Sequence, residues 1–335
     1  MPTLELETIS ACVRDDLEQV ERLLREGTRS IAPLIPEVGE HTFSSGGKRV
    51  RPLLVLLAAR LCGYRGPRAI QVASAVECLH TATLLHDDVV DGAATRRGRA
   101  SVNARWGERL AVLVGDFLLA RASQTLVEDG NADILWSYSN TICQMAEGEV
   151  LQLARSFDPD NPESLYLEVI GRKTSSLLAT ATESGAILAS VTRAERRAVR
   201  EYGWKLGLAF QLVDDALDYV GDGSQLGKAP LTDLAEGKVT LPLILTLKRC
   251  TSAERASISS ALKQFQVAVV SGAEASPALL DGVAELVSRY RGVDSTLSRA
   301  REHVDGACAE IAPFEDCDAR SSLHALARFV VERKA

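Results

Sequence analysis

Apolar residues recur at intervals of three and four along almost the whole chain, the spacing of one face of an α-helix. This spacing predicts helices over residues 6–24, 51–61, 69–91, 110–126, 134–153 and 193–220. The run at 110–126 is apolar on nearly all sides, which predicts a buried central helix. No strand series and no repeat period is evident in the sequence. The pattern therefore predicts an all-α protein of about ten or more helices.

Capping signals mark several helix starts. Asn161-Pro162 places a cap residue before a proline at the first helical position, opening a helix to about residue 188. Thr192 and Thr251 each precede a glutamate by three residues, the spacing of a capping box. Both boxes predict that a new helix begins there.

Charge and glycine gather in four predicted loops, at residues 43–50, 92–103, 157–162 and 221–240. None of these loops has the character of a linker between domains. The segment 270–277 is the best boundary candidate, and we interpret it as a surface loop. We therefore expect a single domain over residues 1–335.

One acidic pattern occurs twice, as DDVVD at 87–91 and as DDALD at 214–218, each in an apolar stretch. On a helix, the first and last aspartates of each pattern share a face. Like charges that lie so close repel one another, and burying them unpaired is costly. A hard divalent cation removes this cost, and carboxylate oxygens suit Mg²⁺. The two patterns therefore predict metal sites.

Basic, glycine-containing segments accompany the acidic patterns. They are GGKRVRP at 46–52, RRG at 96–98, GRKT at 171–174, and the Gly-Lys pairs at 227–228 and 237–238. Arginine suits bidentate contacts to phosphate, whereas lysine acts as a point charge. Carboxylates that hold Mg²⁺, together with cations that contact phosphate oxygens directly, indicate a highly anionic ligand.

Each of these features has a plainer interpretation when it is taken alone. A single acidic pattern on a helix is usually a solvated face. His80 alone would be a core histidine, and Thr174 and Gln211 could merely satisfy buried polar groups. The agreement of motif and context in two places favours the ligand site. We assign His86 a structural role and expect Asp116 to be a buried structural carboxylate.

Composition narrows the remaining classes of protein. The net charge of −7 argues against nucleic acid as a partner, because phosphate binding over a broad surface needs a basic one. No signal peptide is evident, and no apolar run reaches the length of about 18 residues that a transmembrane helix needs. The seven scattered cysteines indicate reduced thiols and a cytoplasmic location.

Taken in order, six stretches resemble the trans-isoprenyl (polyprenyl) diphosphate synthases, and most closely the long-chain octaprenyl and solanesyl type. The stretches are GGKRVRP (46–52), HTATLLHDDVVD (80–91), RRG (96–98), GRKT (171–174), FQLVDDALDY (210–219) and GKAPLTDLAEGKVTLPLI (227–244). The chain departs from the family in the last stretch. Ala229 stands where the family has proline, Pro230 follows it, and Leu231 replaces a glycine. The departure affects the path of the loop, whereas Lys228, Asp233 and Lys238 keep their places in the pattern.

The resemblance implies a single-domain helical bundle of the isoprenoid synthase type, with the two acidic motifs facing each other across a deep central cavity. It also implies three Mg²⁺ ions, which hold the allylic diphosphate. The implied metal ligands are Asp87, Asp88, Asp91, Asp214 and Asp218, and Asp215 completes the catalytic set in a supporting role. The implied residues for isopentenyl diphosphate are Lys48, Arg51, His80 and Arg97. Those for the allylic diphosphate are Arg96, Lys173, Thr174, Gln211, Lys228 and Lys238.

The resemblance implies a prenyltransferase that condenses isopentenyl diphosphate repeatedly onto an allylic diphosphate such as farnesyl diphosphate. Ala82 and Thr83 lie one turn before the first acidic motif, where short-chain members carry bulky aromatics. These small residues predict a long all-trans product, since a tunnel along helix 69–91 can be about 35 Å deep. The resemblance to the octaprenyl and solanesyl type implies a product of about C40 for quinone side chains. The resemblance further implies a homodimer, and a peripheral membrane contact is compatible with release of an apolar product.

Three other functions are weighed against this one. A medium-chain synthase of the geranylgeranyl type shares the fold and the motifs. A non-catalytic partner subunit of a prenyltransferase is disfavoured, because such subunits generally lose motif residues that this chain retains. A terpene cyclase is disfavoured, because GGKRVRP and His80 supply a second diphosphate site that a single-substrate enzyme does not need.

Overall fold

Helices follow the periodic apolar spacing through the parts of the chain that the structure describes. The structure is a computed structural model that describes residues 2–44, 46–220 and 230–332. In these ranges the α-helices are α1 Pro2–Ile9, α2 Arg14–Gly27, α3 Leu34–Ser44, α4 Val50–Leu61, α5 Arg68–Val90, α6 Val102–Trp106, α7 Glu108–Asp129, α8 Ala132–Ala154, α9 Glu163–Ile170, α10 Ser176–Leu188, α11 Arg193–Leu217, α12 Thr232–Ala235, α13 Leu241–Leu247, α14 Ser252–Ser271, α15 Pro277–Arg289, α16 Gly292–Ile311 and α17 Asp318–Glu332. The predicted all-α class is confirmed.

A short hairpin is the one sheet among the described residues, where the sequence predicts only a loop. Its strands are β1, Thr95–Arg96, and β2, Arg99–Ala100, which pair antiparallel. The two residues between the strands, Arg97 and Gly98, have φ of 51° and 72°. Two positive φ values in a two-residue connection match the right-handed twist of the flanking strands. The hairpin is too short to show alternation of apolar and polar residues.

Two predicted helices are interrupted. The run 6–24 breaks at Ser10, whose hydroxyl donates to Leu6 O at 2.8 Å, and a 3₁₀ turn precedes α2. A serine that bonds back to the preceding turn competes with the helical backbone. The run 162–188 is interrupted by a π-helical turn at Gly171–Ser175, and α9 begins at Glu163, one residue later than predicted. Asn161 donates to Val239 O at 3.4 Å and does not cap α9.

The two predicted capping boxes are present. The Thr251 hydroxyl accepts from Glu254 N, and the Glu254 carboxylate accepts from Thr251 N in return. Thr192 and Glu195 make the same pair of bonds at the start of α11. Each box satisfies backbone N–H groups that the first helical turn leaves without a partner.

The described residues fall into two groups by contact. The first unit comprises the described residues of Met1–Ile142, Leu177–Trp204 and Ala307–Ala327. Helix α5 lies at its centre and packs against α2, α4 and α7. A Cβ at Gly185 would lie 2.5 Å from Ala59 N, so this glycine lets α10 lie directly on α4.

The second unit comprises the described residues of Cys143–Ser176, Lys205–Gly306 and Arg328–Ala335. Within it, α13 packs against α9 and α15, and α15 packs against α14. Every residue of α13 is buried, so this short apolar helix forms part of the core. The prediction of one domain over the whole chain stays a prediction.

Helix α7 differs from the expected buried central helix. Its apolar side chains include Leu113 and Val127, which are 63% and 62% exposed. By length and composition it is the one helix of the described residues that could cross a membrane, a test that a core helix also passes. Helix α5, by contrast, is buried along most of its length.

Candidate active site

Both acidic motifs lie at the carboxyl ends of long helices. Asp87 and Asp88 lie in the last turn of α5, and Asp91 caps it; Asp214 and Asp215 lie in the last turn of α11. Neither helix has a basic residue in that turn. A helix C-terminus carries a partial negative charge, which adds to the repulsion among these carboxylates. Both ends therefore favour a bound cation.

The first motif is tied to the hairpin by an ion pair. Asp88 is only 2% exposed, and Arg96 Nε donates to its two carboxylate oxygens at 2.7 and 2.8 Å. Asn103 Nδ2 donates to Asp88 O at 3.0 Å and fixes the backbone at the same place. The predicted ligand Asp88 and the predicted phosphate contact Arg96 therefore bind each other in this structure.

The turn of the hairpin brings Arg97 to the glycine loop before α4. The Arg97 guanidinium donates to Gly46 O, and a Cβ at Gly47 would lie 2.7 Å from Arg97 Nη1. A side chain at position 47 would therefore displace the Arg97 guanidinium from this place. Burial lowers the pKa of Arg97. The loop that carries Lys48 and the hairpin that carries Arg97 thereby form one basic surface.

Arg49 joins this basic loop to the core. It caps the N-terminus of α4 with φ of 45° and forms ion pairs with Glu21 and with Glu77, the latter at 3.1 Å. Glu77 is 3% exposed, and burial raises its pKa although Arg49 and Arg51 oppose the rise. The sequence offered a signal for this contact, since Glu77 is a lone carboxylate in an apolar run of α5.

His80 lies one turn after Glu77 on α5. Burial and the neighbouring charges of Arg51 and Arg97 lower the pKa of the His80 imidazole well below its usual value. The ring is therefore neutral near pH 7. A neutral imidazole can both donate and accept a hydrogen bond.

These groups line a pocket of the first unit with an empty volume of about 540 Å³, part of it open to solvent. Its polar lining includes Arg49, Glu77, His80, Asp88, Arg96 and Arg97. The structure thus brings together four of the sequence-predicted site residues, His80, Asp88, Arg96 and Arg97. Three guanidiniums around a neutral histidine suit a phosphorylated ligand.

In the second unit, the predicted residues Lys173 and Thr174 lie in the π-helical turn Gly171–Ser175. Such turns occur often at functional sites. Lys173 Nζ lies 2.5 Å from Glu149 Oε2, and Thr174 Oγ1 donates to Gln211 Oε1 at 2.8 Å. The turn therefore places a cation and a hydroxyl beside α11.

Asp215 is held from two sides. Gln211 Nε2 donates to Asp215 Oδ1 at 2.8 Å, and the Tyr166 hydroxyl donates to Asp215 Oδ2 at 2.5 Å. Burial, together with the charge of Asp233, raises the pKa of Asp215 to about 7, against the effect of these two hydrogen bonds. Because both of its oxygens are engaged, Asp215 suits the supporting role that the sequence predicts. The sequence gives no signal for Tyr166.

The segment after α11 folds back on the second motif. Asp233 N donates to Asp218 Oδ2 at 3.2 Å, and Leu231 N donates to Asp218 O at 2.9 Å. Lys238 Nζ contacts Glu236 at 2.7 Å and lies 3.8 Å from Asp233 Oδ1. Leu231, the departure from the family pattern, has φ of 61°, a conformation that glycine adopts more easily. Lys228 lies outside the described residues.

The chemistry of the carboxylates fits Mg²⁺, although among the described residues no three His, Cys, Asp or Glu side chains are grouped so that they could hold a metal ion. Mg²⁺ is commonly bound through one or two carboxylates, with substrate phosphates and water completing its octahedron. The residues that would hold it are Asp87, Asp88, Asp91, Asp214 and Asp218. Asp87 to Asp91 belong to the first unit and Asp214 to Asp218 to the second. That the two motifs face each other stays a prediction.

The remaining predicted residues take varied positions. Lys48 is exposed in its loop, and Arg51 lies half-buried in the first turn of α4. Ala82 is buried, and the half-buried Thr83 donates its hydroxyl to His80 O at 2.9 Å. The expectation for Asp116 is wrong: its side chain is 62% exposed and lies 3.5 Å from His86 Nε2. Its position on the exposed side of α7 explains the error.

Comparison with known proteins places this arrangement in a family. The family model for polyprenyl synthetases matches residues 32–274. Octaprenyl diphosphate synthase of Escherichia coli (strain K12) is 40% identical over 330 residues, covering 98% of this chain and 99% of its own. An all-trans-nonaprenyl-diphosphate synthase of Rhodobacter capsulatus, described as geranyl-diphosphate specific, is 39% identical over 326 residues, which is 97% of each chain.

A solved structure agrees with these relatives. The crystal structure of polyprenyl synthase from Caulobacter crescentus CB15, complexed with calcium and isoprenyl diphosphate, superposes with a TM-score of 0.92. It is 42% identical in sequence, and the match covers 98% of both chains. The chain belongs to the polyprenyl synthetase family, and the predictions of its family, its fold and its class of enzyme, a prenyltransferase, are confirmed.

Proposed function

We propose that this protein is a Mg²⁺-dependent long-chain trans-prenyltransferase, which adds isopentenyl diphosphate repeatedly to an allylic diphosphate such as farnesyl diphosphate. The observation that carries the proposal is the placement of both acidic motifs at helix C-termini without a basic residue in the last turn. The basic pocket of Arg49, Arg96 and Arg97 beside the first motif adds support. Relatives named octaprenyl and nonaprenyl synthases support a product of about C40.

The reaction breaks the carbon–oxygen bond of the allylic diphosphate, and charge develops on the departing diphosphate. Bound Mg²⁺ supplies Lewis-acid stabilisation of that charge. Lys173, Thr174 and Gln211 lie together in the second unit and would contact the diphosphate oxygens. Gln211 keeps one amide N–H that is positioned in advance for the leaving group, and such a donor stabilises developing charge without reorganising. The Thr174 hydroxyl, whose one proton goes to Gln211, would accept or turn before it contacts the diphosphate.

The second substrate needs its own anion site. Lys48, Arg51, His80 and Arg97 would bind isopentenyl diphosphate, whose double bond attacks the allylic cation and forms the new carbon–carbon bond. The carbocation that results then loses a proton. The neutral imidazole of His80 suits hydrogen bonding to phosphate, and we assign the departed diphosphate as the proton acceptor. Water must be excluded, since it would capture the cation.

Substitution of the metal-binding aspartates tests the proposal. We expect Asp87→Ala or Asp214→Ala to lower kcat with farnesyl and isopentenyl diphosphates by orders of magnitude, because each removes a predicted Mg²⁺ ligand. Asp116→Ala removes an exposed carboxylate of α7 and serves as the matched control. Circular dichroism verifies folding, and chromatography of the products measures chain length. Normal turnover by either variant would refute the metal assignment, and a C20 product would favour the medium-chain alternative.

The same proposal includes a homodimer formed through α7. Leu113 and Val127 are separated by fourteen residues, or about four turns, and so lie on one side of the helix. Trp136 of α8, also in the first unit, is 67% exposed. Contiguous exposed apolar patches mark interaction sites, and we assign these side chains to such a patch. The Leu113→Glu variant is expected to sediment as a monomer, whereas Val270→Glu on the exposed end of α14 is expected to leave the mass unchanged.

We also place the protein in the cytoplasm. No disulfide joins any of its seven cysteines, all of which lie in the described residues. Thiols persist in reducing compartments. Fractionation of cells that express the full chain tests this location.

A further inference from the structure

The structure contains a continuous chain of hydrogen bonds in the second unit that begins at a residue without a known role. The Tyr166 hydroxyl donates to Asp215, Gln211 also donates to Asp215, and Thr174 donates to Gln211, over distances of 2.5, 2.8 and 2.8 Å. We propose that Tyr166 is a positioning residue for binding of the allylic diphosphate. Tyr166 acts through Asp215 and Gln211 on Thr174. This inference rests on the proposed function.

The chain fixes the orientation of the Gln211 amide. Asp215 is a carboxylate in the interior, 3% exposed, and it accepts from Tyr166 on one oxygen and from the Gln211 amide nitrogen on the other. The reversed amide would bring its oxygen against the carboxylate oxygen and its nitrogen toward the Thr174 hydroxyl. With the observed orientation, the amide oxygen accepts from Thr174. The second N–H of the amide is then the group that we assign to the diphosphate.

Packing leaves the chain little room to rearrange. A Cβ at Gly207 would lie 2.5 Å from Ser175 Cα, so α11 lies directly against the π-helical turn. On the other side, a Cβ at Gly148 would lie 3.0 Å from Lys173 N. Because the turn is held between two helices at backbone contact, Thr174 and Lys173 have defined positions relative to Gln211. Tyr166, 4% exposed on α9, closes the chain at its far end.

Because Tyr166 is buried, its hydroxyl acts on ligand binding through Asp215 and not by contact with the ligand. Without its hydroxyl, Asp215 Oδ2 is left buried and loses a short, charge-assisted bond. The carboxylate can then turn toward another donor, and Gln211 loses its fixed partner. The expected consequence is weaker binding of the allylic diphosphate, with isopentenyl diphosphate bound as before.

Tyr166→Phe tests the proposal, with Tyr202→Phe as its matched control. Tyr202 is equally buried, lies on α11, and donates its hydroxyl to Leu323 O at 2.8 Å within the first unit. Each substitution removes one buried hydroxyl hydrogen bond. Titration calorimetry measures the Kd of farnesyl diphosphate with Mg²⁺, without isopentenyl diphosphate so that no turnover occurs. Steady-state assays then measure KM for each substrate separately.

We expect Tyr166→Phe to raise the Kd and the KM for farnesyl diphosphate about tenfold, the loss of one hydrogen bond to a charged group. KM for isopentenyl diphosphate is expected to stay within about twofold of the wild-type value. In Tyr202→Phe, the Kd and the KM for farnesyl diphosphate and the KM for isopentenyl diphosphate are all expected to stay within the same range. Equal effects of the two tyrosine variants would overturn the proposal. If Tyr166→Phe does not fold, Gln211→Met cuts the same chain at its middle, and an unchanged Kd in that variant would also overturn it.

A double-mutant cycle tests the connection itself. If Tyr166 acts through the chain, Tyr166→Phe adds little to the Kd of a Gln211→Met variant, in which the amide N–H assigned to the diphosphate and the link to Thr174 are both already lost. Independent effects that multiply would refute the connection. The proposed function is judged separately by the wild-type enzyme: failure to elongate farnesyl diphosphate would refute that function, whereas normal elongation with an unaffected Tyr166→Phe variant refutes only the role of Tyr166.

Discussion

Arg49 shows how much a single side chain can determine in this fold. It adopts a left-handed backbone conformation that is unfavourable for a residue with a side chain, and its ion pairs with Glu21 and the buried Glu77 offset this cost. The two ion pairs tie the glycine loop to α2 and α5. The sequence of the glycine loop was enough to predict a phosphate site. The contact that holds the loop in place could not be predicted in this way, because it depends on Glu77, a carboxylate 28 residues away from Arg49.

Removal of this contact is expected to destabilise the protein. Arg49→Met removes the cation that is paired and hydrogen-bonded to the buried Glu77, which should lower the free energy of unfolding by about 3–5 kcal/mol. Urea denaturation measures the change. Arg291→Met is the control, because Arg291 and Asp294 form an ion pair in which both side chains are largely exposed, and such pairs contribute little. Equal stabilities of the two variants would contradict the assigned role of Arg49.

His80 gives the stability a predictable dependence on pH. Because the folded state lowers its pKa, the unfolded chain binds a proton below about pH 6.5 that the folded protein does not. The stability that the neutral ring contributes is complete above this pH and is lost as the pH falls toward the lowered value. We expect wild type to lose up to about 1.4 kcal/mol per pH unit relative to His80→Gln between pH 6.5 and 5. Parallel unfolding curves for the two proteins would show that His80 does not titrate in this way.

The candidate site was predictable where residues form local motifs and hidden where partners come from distant segments. His80, Arg96 and Arg97 stand in short recognisable stretches, and the structure brings them to one pocket. Tyr166 donates to Asp215, which is 49 residues away in the sequence, and no local sequence pattern predicts such a contact. The motifs therefore predict which residues contact the ligand, but not which residues orient them.

At the scale of the element, the π-helical turn depends on a close contact between backbones. Gly207→Ala would place a Cβ 2.5 Å from Ser175 Cα, so α11 or the turn must shift. We expect a loss of about 1–3 kcal/mol in unfolding free energy, the usual cost of overpacking. Gly282→Ala in α15 is the control, since a Cβ there meets nothing within 4 Å, and alanine should stabilise that helix by about 0.5–1 kcal/mol. Stabilisation of both variants, measured in urea, would show that helix propensity and not the contact decides.

Periodicity predicts these elements well where one face is buried and poorly where local bonds compete. The run 6–24 has helical spacing throughout, yet Ser10 bonds back to Leu6 and the helix breaks there. The π-helical turn inserts an extra residue that hardly disturbs the apolar spacing. The hairpin at 95–100 is set by positive φ at Arg97 and Gly98, and a strand of two residues is too short for a period to appear.

At the scale of the whole molecule, apolar composition alone did not distinguish burial from association. Helix α7 was expected at the centre of the fold because it is apolar on nearly all sides, and it instead exposes Leu113 and Val127. Helix α5 lies in the core of the first unit, although charged residues occupy its C-terminal end. The composition of a helix shows how much apolar surface it carries. Only the packing shows which of its apolar residues are buried within the chain and which stay exposed.

The length of the product is a property of the whole fold, and α5 offers a graded test of it. Ala82 and Ala75 are both buried and lie seven residues apart, so they occupy the same side of the helix about 10 Å from one another. If the growing chain follows this side away from Asp87, a phenylalanine at either position should stop it. Ala82 lies nearer the diphosphate, so Ala82→Phe should give the shorter product.

Chromatography of products from farnesyl and isopentenyl diphosphates measures both lengths against wild type. Both variants add volume to a packed interior at a cost of about 1–3 kcal/mol, so circular dichroism must first show that each is folded. Thr83→Phe probes the neighbouring position and is also expected to shorten the product. An unchanged product from Ala82→Phe would refute the tunnel assignment. Equal shortening by Ala82→Phe and Ala75→Phe would instead show that the substitutions act on the shape of the bundle. Only a product chain that lies along α5 should differ in length according to which of the two positions, about 10 Å apart, is blocked.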